Sequence, residues 1–313
     1  MRCVLIVNPA SGTAREADLP EVLAIFEETG WTIDLVRTAG PGDATRVAAE
    51  AVDAGFDLVL VCGGDGTVNE ALQALVGSRT ALGVLPAGTA NLLAREMQLP
   101  LRAPAAARAL VSGGMCEVDV GLAGGRRYFL LFAGIGFDAA VIHAVDSEWK
   151  RRVGPLSYVA ASAQVVPNFH GARAEIRLDG RRRRRHVLMA VVANTRLFAL
   201  FPLTPRARAN DGKLDVVVFH GVGFWTKVGH ILAVLLGQHH DSPNVDQDLA
   251  SQIDVRGPKP LPVELDGEPW GHTPMSFSVV PRSLRVWVPP NAPIDLFGGR
   301  LSERRDNDPL ALA

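Results

Sequence analysis

Cysteine is scarce in this sequence of 313 residues, which contains only three, at positions 3, 62 and 116. Cys3 and Cys62 lie in apolar, strand-like stretches, and no pair of cysteines has the C-x-x-C spacing. These features argue against a disulfide framework and against a zinc site built on cysteine. They favour a protein of the reducing cytoplasm.

Long hydrophobic runs are also missing. No segment has the roughly 18 consecutive apolar residues that a membrane-spanning helix needs. The uncharged segment 153–169 contains two prolines and an asparagine, and the apolar run 228–236 is short and contains His230. The first apolar run, Val4–Val7, is too short for a signal peptide and predicts a strand. We therefore expect a cytoplasmic protein that, where it acts at a membrane, lies on the surface without crossing it.

Charge of one sign is not in excess, because the net charge is −1. No overall electric field therefore favours nucleic acid, and we expect no nucleic-acid partner. Five consecutive arginines, Arg181–Arg185, follow the hairpin signal Asp179-Gly180 without interleaved aromatic residues. Two interpretations stay open: a solvated hairpin tip, or a peripheral attachment to anionic lipid headgroups, worth about 1 kcal/mol per basic residue.

Two familiar phosphate-binding motifs are absent. The sequence has no G-x-x-x-x-G-K-[ST] segment and no G-x-G-x-x-G followed about twenty residues later by an acidic side chain. It has instead Gly63-Gly64-Asp65-Gly66-Thr67-Val68-Asn69-Glu70, between the strand-like run Leu58–Cys62 and a helical pattern. Glycines let the backbone approach an anion, and the start of a helix offers N–H groups and a positive dipole end. The segment therefore predicts a phosphate cradle, although a tight strand-to-helix turn would also use glycine.

Asp65 adds a carboxylate to this cradle. A carboxylate beside phosphates is repulsive unless it binds Mg²⁺ or accepts the proton of the attacking hydroxyl. The segment therefore indicates phosphoryl transfer more than simple anion binding.

Strand and helix patterns alternate over the first hundred residues. The predicted strands are Val4–Val7, Thr32–Val36, Leu58–Cys62 and Ala81–Leu85, and the predicted helices lie near 16–29, 43–54, 67–76 and 90–97. This alternation is typical of a parallel sheet with helices on both faces, which binds ligands at the carboxyl ends of its strands. The turns 8–12, 38–42, 63–69 and 86–91 should therefore gather at one edge.

After about Asp119 the pattern becomes mainly β. Strands are predicted at Ala172–Leu178, Val187–Ala193, Leu214–Phe219, Val263–Leu265, Ser276–Val280 and Leu284–Val288, with helical stretches near 158–166 and 225–236. We therefore expect an α/β domain over residues 1–119 and a mainly β domain over residues 120–289.

Two turns flank the glycine-rich segment as candidate walls of one nucleotide site. Asn8-Pro9-Ala10-Ser11-Gly12 follows the first strand and can place N–H and hydroxyl donors on a phosphate. Pro86-Ala87-Gly88-Thr89-Ala90-Asn91 follows the fourth strand. Each also has a plain structural interpretation, an ordinary turn in the first case and a helix N-cap at Thr89 in the second.

Carboxylates cluster in the segment Val263-Glu264-Leu265-Asp266-Gly267-Glu268. Strand alternation puts Glu264, Asp266 and Glu268 on one side unless the glycine turns the chain. Such a cluster can accept a proton from a substrate hydroxyl or hold a metal, and a solvated turn is the alternative. A second acidic turn, Asn210–Asp215, is either an ordinary turn or a metal site with Asp211 as the side-chain ligand.

These segments, taken in order, resemble the diacylglycerol kinase catalytic-domain family, bacterial lipid kinases related to sphingosine and ceramide kinases. The matching segments are Asn8-Pro9-x-Ser11-Gly12, Gly63-Gly64-Asp65-Gly66-Thr67-x-Asn69-Glu70, Leu85-Pro86-x-Gly88-Thr89-x-Asn91, Gly134-x-Gly136-x-Asp138, Asn194, Asp211-Gly212-x-Leu214-Asp215 and Asp266-Gly267-Glu268. NAD kinases share the glycine-rich segment, but the ordered set is more specific. The resemblance implies an NAD-kinase-like nucleotide-binding α/β domain and a C-terminal β-sandwich. ATP would bind between them, and the tail 290–313 would return to the first domain.

Residue by residue, the resemblance assigns ATP contacts to Asn8, Pro9, Ser11, Gly12, Thr38, Gly63, Gly64, Asp65, Gly66, Thr67, Asn69, Gly88, Thr89 and Asn91. Asp211 would hold a structural Mg²⁺ with backbone carbonyls near Arg208 and Lys213. Asp266 or Glu268 would accept the proton. Asp65 would orient Mg-ATP, although the matching residue in sphingosine kinases is proposed as the base.

The sequence departs from the family in two places. Leu197-Phe198-Ala199-Leu200-Phe201-Pro202 stands where a glycine pair often follows the residue matching Asn194, and Leu92 stands where an acidic residue often follows the one matching Asn91. The first departure bears on which lipid is used, and the second on helix packing.

We therefore expect an ATP-dependent lipid kinase that uses Mg²⁺ and transfers the γ-phosphoryl group to the hydroxyl of diacylglycerol or a related lipid. A soluble-substrate kinase similar to NAD kinase, and a non-catalytic nucleotide or lipid sensor, are the alternatives. The sequence leaves open whether the chain forms a homodimer.

Overall fold

The structure is a computed structural model that describes residues 1–11, 18–144, 165 and 168–299. The chain forms two compact units. The first contains Met1–Val120, Arg208–Asp211 and the described residues from Pro281 onward, and the second contains Gly121–Ala207 and Gly212–Val280. The return to the first unit therefore begins at Pro281, nine residues before the tail that the sequence assigned to it.

The first unit is built on four parallel strands in the order β4–β3–β1–β2. They are β1 (Arg2–Val7), β2 (Thr32–Arg37), β3 (Leu58–Gly63) and β4 (Ala81–Pro86). The connecting helices are α1 (Leu19–Glu27), α2 (Asp43–Asp53) and α3 (Asp65–Leu75), and α4 (Leu92–Glu96) and α5 (Ala103–Val111) follow β4. Strands β3 and β4 are buried along their whole length, as expected for strands covered on both faces. The predicted parallel α/β domain is confirmed.

Two long strands carry residues of both units. Strand β5 (Gly114–Ala123) leaves the first unit, and β17 (Met275–Val288) returns to it. Within the first unit, the end of β17 lies parallel to β4, with Val286 opposite Leu82. The sequence had predicted two strands where β17 runs without interruption through Pro281.

The second unit is mainly β, also as predicted. Its antiparallel strands follow the order β16–β15–β7–β9–β8–β14–β17, and β12 pairs with both β9 and β13. The strands are β6 (Arg127–Phe129), β7 (Phe132–Gly136), β8 (Ala172–Leu178), β9 (Arg181–Ala193), β12 (Leu214–His220), β13 (Val245–Ala250), β14 (Gln252–Arg256), β15 (Pro262–Leu265) and β16 (Glu268–His272), with a short hairpin of β10 (Leu197–Phe198) and β11 (Phe201–Pro202). Inward-facing apolar residues such as Phe129, Ile135 and Phe277 form the core.

Three further α-helices, α6 (Phe137–Ala144), α7 (Phe224–Leu235) and α8 (Ile294–Phe297), and a 3₁₀ helix at His239–Asp241 complete the described elements. Helix α7 matches the helix predicted near 225–236. Most of the helix predicted near 158–166, and the tail beyond residue 299, lie outside the described residues.

Candidate functional site

The turns at the carboxyl edge of the first sheet are bound to one another by hydrogen bonds. The Asn8 Nδ2 group donates to Thr67 Oγ1 at 2.8 Å, joining the turn after β1 to the start of α3. The Ala87 amide donates to the Gly63 carbonyl at 3.0 Å, joining the turns after β3 and β4. Three of the four turns therefore form one cluster, as the order of parallel strands predicts.

The other predicted members of this cluster lie on its surface. Pro9 is exposed, Ser11 is partly exposed, and the Thr38 amide donates to the Val7 carbonyl at 2.9 Å, which seats the turn after β2 beside β1. Gly12 lies outside the described residues.

Gly64 and Gly88 bring two of these turns into direct backbone contact. A Cβ atom added to Gly64 would lie 3.2 Å from the Gly88 Cα, and one added to Gly88 would overlap the Gly64 Cα. A Cβ on Gly63 would lie 2.8 Å from the Thr67 Cβ. Side chains are therefore excluded here, and the partly exposed Gly64 and Gly66 present backbone at the start of an 11-residue helix. Backbone N–H groups at such a helix start suit a phosphate.

Asp65 caps a neighbouring helix. Its Oδ1 atom accepts the amide of Leu92 at 2.8 Å and that of Leu93 at 3.4 Å, at the start of α4. Asn91 precedes α4 in the left-handed region, with φ of 50°, and its side chain binds both backbone groups of Gly88, at 2.8 and 2.7 Å. Both residues therefore shape the turn after β4.

The remaining predicted contacts divide between the surface and the interior. Thr89 is exposed at the tip of its turn. Thr67 and Asn69 are buried, and the Gln73 Nε2 group donates to the Asn69 carbonyl and Oδ1 at 3.0 and 3.2 Å. Within the glycine-rich segment 63–70, Gly64, Asp65, Gly66 and Glu70 are partly exposed.

The carboxylate segment of the second unit forms a hairpin. Asp266 and Gly267, with φ values of 48° and 85°, turn the chain between β15 and β16. The alternation that would put Glu264, Asp266 and Glu268 on one side is therefore interrupted by the glycine. Glu264 and Asp266 are buried, whereas Glu268 is exposed at the start of β16.

Asp266 anchors this turn. Its carboxylate accepts the amides of Leu130, Leu131 and Phe132 at 2.8, 2.9 and 3.0 Å, and its own amide donates to the Phe132 carbonyl at 2.9 Å. A carboxylate that accepts three amides supports the backbone of the turn. The sequence offered Asp266 and Glu268 as alternative bases, and the structure places the first in the interior and the second at the surface.

The carboxyl groups of Glu264 and Asp138 lie close together in the interior, next to the hairpin. The Glu264 Oε2 atom accepts the Gly267 amide at 2.7 Å. Burial and the neighbouring Asp138 raise the pKa of Glu264 well above its usual value, and burial raises the pKa of Asp138 to about 6.

An apolar cavity of about 210 Å³ lies within the second unit. Helix α7, strand β9, the β10–β11 hairpin and the start of α6 supply its walls. The lining side chains include Phe137, Leu188, Met189, Phe198, Phe219 and Val234. Asp138 and Lys227 also line it, and the Lys227 Nζ group donates to the Phe169 carbonyl at 3.0 Å.

Helix α7 has an apolar outer surface as well. Trp225 is 80% exposed, and exposed apolar side chains continue along the helix and its flanks, at Val222, Phe224, Leu232, Leu235 and Leu236. The one charged residue of the helix, Lys227, is buried. Among the described residues, no helix is long and apolar enough to cross a membrane.

The turn predicted to hold a metal ion, Asn210–Asp215, shows the least complete site of these features. Asp211 and Arg208 are exposed and belong to the first unit, and Lys213 belongs to the second. The Lys213 Nζ group donates to Ser251 Oγ at 2.8 Å and to Asp179 Oδ2 at 3.3 Å. No group of three or more His, Cys, Asp or Glu side chains within the described ranges could hold a metal ion. A site made of one carboxylate and two carbonyls stays a prediction.

Comparisons with known proteins bear on both units. A family model described as the diacylglycerol kinase catalytic domain matches residues 2–123, and one described as the YegS C-terminal NAD kinase beta sandwich-like domain matches residues 132–288. The diacylglycerol kinase of Bacillus subtilis (strain 168) is 30% identical over 293 residues, which cover 92% of this chain and 96% of the relative. This chain belongs to the diacylglycerol kinase catalytic-domain family.

Other diacylglycerol kinases agree with this membership. The diacylglycerol kinase of Staphylococcus carnosus (strain TM300) is 29% identical, with 92% of this chain and 95% of the relative covered. A solved structure of a candidate diacylglycerol kinase from Bacillus anthracis str. Sterne has a TM-score of 0.79 at 26% identity, and covers 93% of this chain and 96% of that chain. The lipid-kinase family and the two-part fold are therefore established.

The two departures from the diacylglycerol kinase pattern have clear positions in the fold. Phe198, Ala199 and Phe201, from the segment after Asn194, line the apolar cavity. Leu92 is buried, and its amide binds Asp65. The first departure thus lies in the cavity wall, and the second is a buried residue at the start of α4.

The arginine run of this diacylglycerol kinase family member forms part of strand β9. Arg183 binds Asp248, Arg184 lies 3.4 Å from Glu175, and Arg185 lies 2.7 Å from Asp246. Three of the five charges thus have carboxylate partners within the second unit. These partners could not be predicted from the sequence, because two of them lie more than 60 residues away from the arginines.

Sequence reasoning gave no role to several residues that the structure brings together. Asp138 was matched only as a family position, Phe198 was named only within the departure at 197–202, and Lys227 was not singled out for any site. The available signal was the run 224–236, whose only charge is Lys227. Its part 228–236 was set aside as too short to cross a membrane, which is a different property from lying on one.

Proposed function

We propose that this chain is an ATP-dependent lipid kinase, which transfers the γ-phosphoryl group of Mg-ATP to the hydroxyl of diacylglycerol or a related lipid. The observation that carries the proposal is the apolar cavity of the second unit, in a chain of the diacylglycerol kinase family. A soluble acceptor such as NAD⁺ does not need a cavity lined by aromatic and aliphatic side chains, whereas an acyl chain binds well in such a cavity.

The first unit supplies the nucleotide site in this proposal. Gly64 and Gly66 keep side chains away from the start of α3, so that backbone N–H groups can bind phosphate oxygens. Asn8 and Asn91 hold the adjacent turns in place through Thr67 and Gly88. The residues present fit a triphosphate, and bound Mg²⁺ would neutralise the charge that develops on it.

Asp65 is a positioning residue in this scheme. Its Oδ1 atom accepts the Leu92 amide at the start of α4, so the carboxylate is held in a fixed orientation beside the glycine-rich turn. This arrangement favours the role that the sequence first suggested, in which Asp65 orients the nucleotide, over a role as the base.

Glu268 is the residue that we propose as the general base. The acceptor hydroxyl has a pKa far above neutrality, so a carboxylate within reach must take its proton as it attacks. Glu268 is exposed at the start of β16, whereas Asp266 is buried and its oxygens accept three backbone amides. Asp266 therefore builds the turn that presents Glu268.

Peripheral binding to membranes is part of the same proposal. Trp and Phe side chains partition to the membrane–water interface, and a helix with an apolar outer face lies in its plane. Trp225 and Phe224 are exposed at the start of α7, while Lys227 is turned inward. The helix that would rest on lipid thus also forms one wall of the cavity that would receive an acyl chain.

A substrate panel tests the function. Purified protein is incubated with labelled ATP and diacylglycerol, phosphatidylglycerol, sphingoid bases, ceramide or NAD⁺. We expect phosphorylation of a lipid, with diacylglycerol or a close relative preferred. Phosphorylation of NAD⁺ alone would favour the soluble kinase, and ATP binding without transfer to any acceptor would favour the sensor.

A pair of variants on one helix tests the cavity. Val234→Trp fills it and should raise the apparent KM for lipid at least tenfold without changing the affinity for ATP. Leu232→Trp adds the same ring at an exposed position that does not line the cavity. Equal loss of lipid turnover in both variants would contradict the assignment of the cavity to the acyl chain.

A further inference from the structure

Two buried carboxyl groups meet over a glycine in the second unit. The Asp138 Oδ2 and Glu264 Oε1 atoms both crowd Gly134, where an added Cβ would overlap each of them. Both oxygens are sealed from solvent, and neither has another hydrogen-bond partner. Asp138 lies in the first turn of α6 and Glu264 in β15, so the contact joins the helix to the hairpin that carries Glu268.

Two ionised carboxylates cannot share so small and dry a space. Neither can donate a hydrogen bond, and their charges repel strongly where water is excluded. One proton changes the contact into a carboxyl–carboxylate hydrogen bond, as in other buried acid pairs. The directions of both pKa shifts agree with this, because each carboxyl is held in its neutral form to a higher pH than usual.

We propose that Asp138 and Glu264 share one proton at neutral pH, and that this pair is a positioning device for the base Glu268. The part that concerns Glu268 rests on the proposed function, and the proton sharing does not. The path is short, because the other carboxylate oxygen of Glu264, Oε2, accepts the Gly267 amide, and Gly267 immediately precedes Glu268. Loss of the pair would leave Asp266 as the main anchor of the turn.

The pair also adjoins the apolar cavity. Phe137 and Asp138 line it at the start of α6, and Asp138 keeps part of its surface accessible although its Oδ2 atom is sealed. The wall that would contact the acyl chain and the support of the base therefore meet at one residue.

Other titratable groups around the pair have their own partners. On α6, the His143 Nε2 atom lies 2.9 Å from the Val263 carbonyl, and its ring lies 5.5 Å from that of His272 on β16. Asp266, in the adjoining turn, binds amides, and its charge adds to the rise in the pKa of Glu264. On α7, Lys227 and His230 line the same cavity and contact the carbonyls of Phe169 and His220.

The sign of the pH dependence follows from the raised pKa values. A carboxyl whose pKa is higher in the folded chain stabilises it at low pH, and this stabilisation is lost as the pH rises through the folded value. For Asp138 that value is about 6. The contribution of Asp138 is therefore lost by about pH 6, whereas that of Glu264, whose pKa is raised further, continues to be lost above pH 6. The melting temperature should accordingly go on falling above pH 6, by about 2–4 °C per pH unit for a difference of one proton.

Amide variants test the shared proton. Asp138→Asn and Glu264→Gln each supply a fixed N–H donor to the remaining carboxylate, so the fall in melting temperature above pH 6 should flatten. Asp254→Asn, on a different strand, should keep the parental slope. An unchanged slope in both amide variants would overturn the proposal, whether or not the protein phosphorylates a lipid.

Positioning is tested by comparing amide with truncated side chains. Asp138→Ala should increase hydrogen exchange across residues 262–272 at least tenfold and lower kcat at least tenfold, with the affinity for ATP unchanged. Asp138→Asn should restore both. Parental exchange and kcat in Asp138→Ala would overturn the positioning role. Changed exchange with no lipid turnover in the parent would instead refute the proposed function alone.

Discussion

Gly88 has no room for a side chain, because a Cβ atom there would overlap the Cα of Gly64. We predict that Gly88→Ala forces the two turns apart, lowers stability by about 1–3 kcal/mol and weakens ATP binding at least tenfold. Gly229→Ala, in the second unit, is the control, since its Cβ would meet nothing within 4 Å. Thermal unfolding and nucleotide titration measure both effects. Parental ATP affinity in a folded Gly88→Ala protein would remove the two turns from the nucleotide site.

Asp266 and Glu268 should respond differently to the loss of charge. Glu268→Gln should lower kcat by about 10²–10⁴ and lower the melting temperature less than Asp266→Asn does, because Glu268 is exposed whereas Asp266 is buried. Asp266→Asn should cost about 1–3 kcal/mol of stability, because an amide group cannot accept all three backbone N–H groups. Steady-state kinetics and urea unfolding measure the two quantities. If only Asp65→Asn loses kcat, Asp65 is the base.

At single residues, the structure adds internal contacts beside the predicted ligand-binding roles, which stay predictions. Short polar side chains beside glycines indicated a ligand site, yet Asp65, Asn91 and Asp266 bind backbone groups of the chain itself. The same oxygen atoms that suit a metal or a phosphate also suit a turn, so sequence cannot separate the two. The contact of Asp138 with Glu264 could not be predicted, because 126 positions separate them.

The exposed apolar surface of helix α7 is explained if this helix binds to a membrane. We predict that the double change Phe224→Ser with Trp225→Ser weakens binding to phosphatidylglycerol vesicles at least tenfold, because each large apolar side chain contributes about 1.5–3 kcal/mol when fully buried. Turnover of a detergent-dispersed lipid should stay near the parental value. Vesicle sedimentation measures the first quantity, and Leu249→Ser, which changes an exposed residue on β13, is the control.

The arginines of strand β9 provide a second test of which element binds to the membrane. Changing Arg183 and Arg185 to Ser removes charges that already pair with Asp248 and Asp246, so it should alter vesicle binding less than the α7 change does. A larger loss in the arginine variant would restore the interpretation in which the run attracts anionic lipid.

Elements with uniform patterns were predicted well. The strands of the first sheet are apolar runs bounded by glycine or polar turns, and all four are found. Strand β7 was missed because its sequence, Phe132–Gly136, contains two glycines, which usually indicate a turn. The run 181–185 was separated from the strand that follows because five charges seldom form a strand without partner carboxylates.

At the scale of the whole molecule, strand β17 completes the sheet of the first unit. The end of β17 pairs with β4, and the Trp287 Nε1 group donates to the Leu110 carbonyl at 2.8 Å beside the ring of Trp31. We predict that a chain cut after Val280 loses cooperative urea unfolding of the first unit, because β4 becomes an open edge. Trp287→Leu should keep cooperativity and lose about 1–3 kcal/mol. Cooperative unfolding of the cut chain would show that residues 1–120 are sufficient.

The first unit is built from distant parts of the chain, and this determines when it can finish folding during synthesis. About 160 residues separate Val120 from Pro281, and a ribosome adds about 5–20 residues per second, so the first unit waits about 8–32 s for its final strand. During this interval the side of β4 that will receive β17 is open to other chains. Slowed translation between these two points should therefore increase aggregation of the nascent protein, even though no side chain has changed.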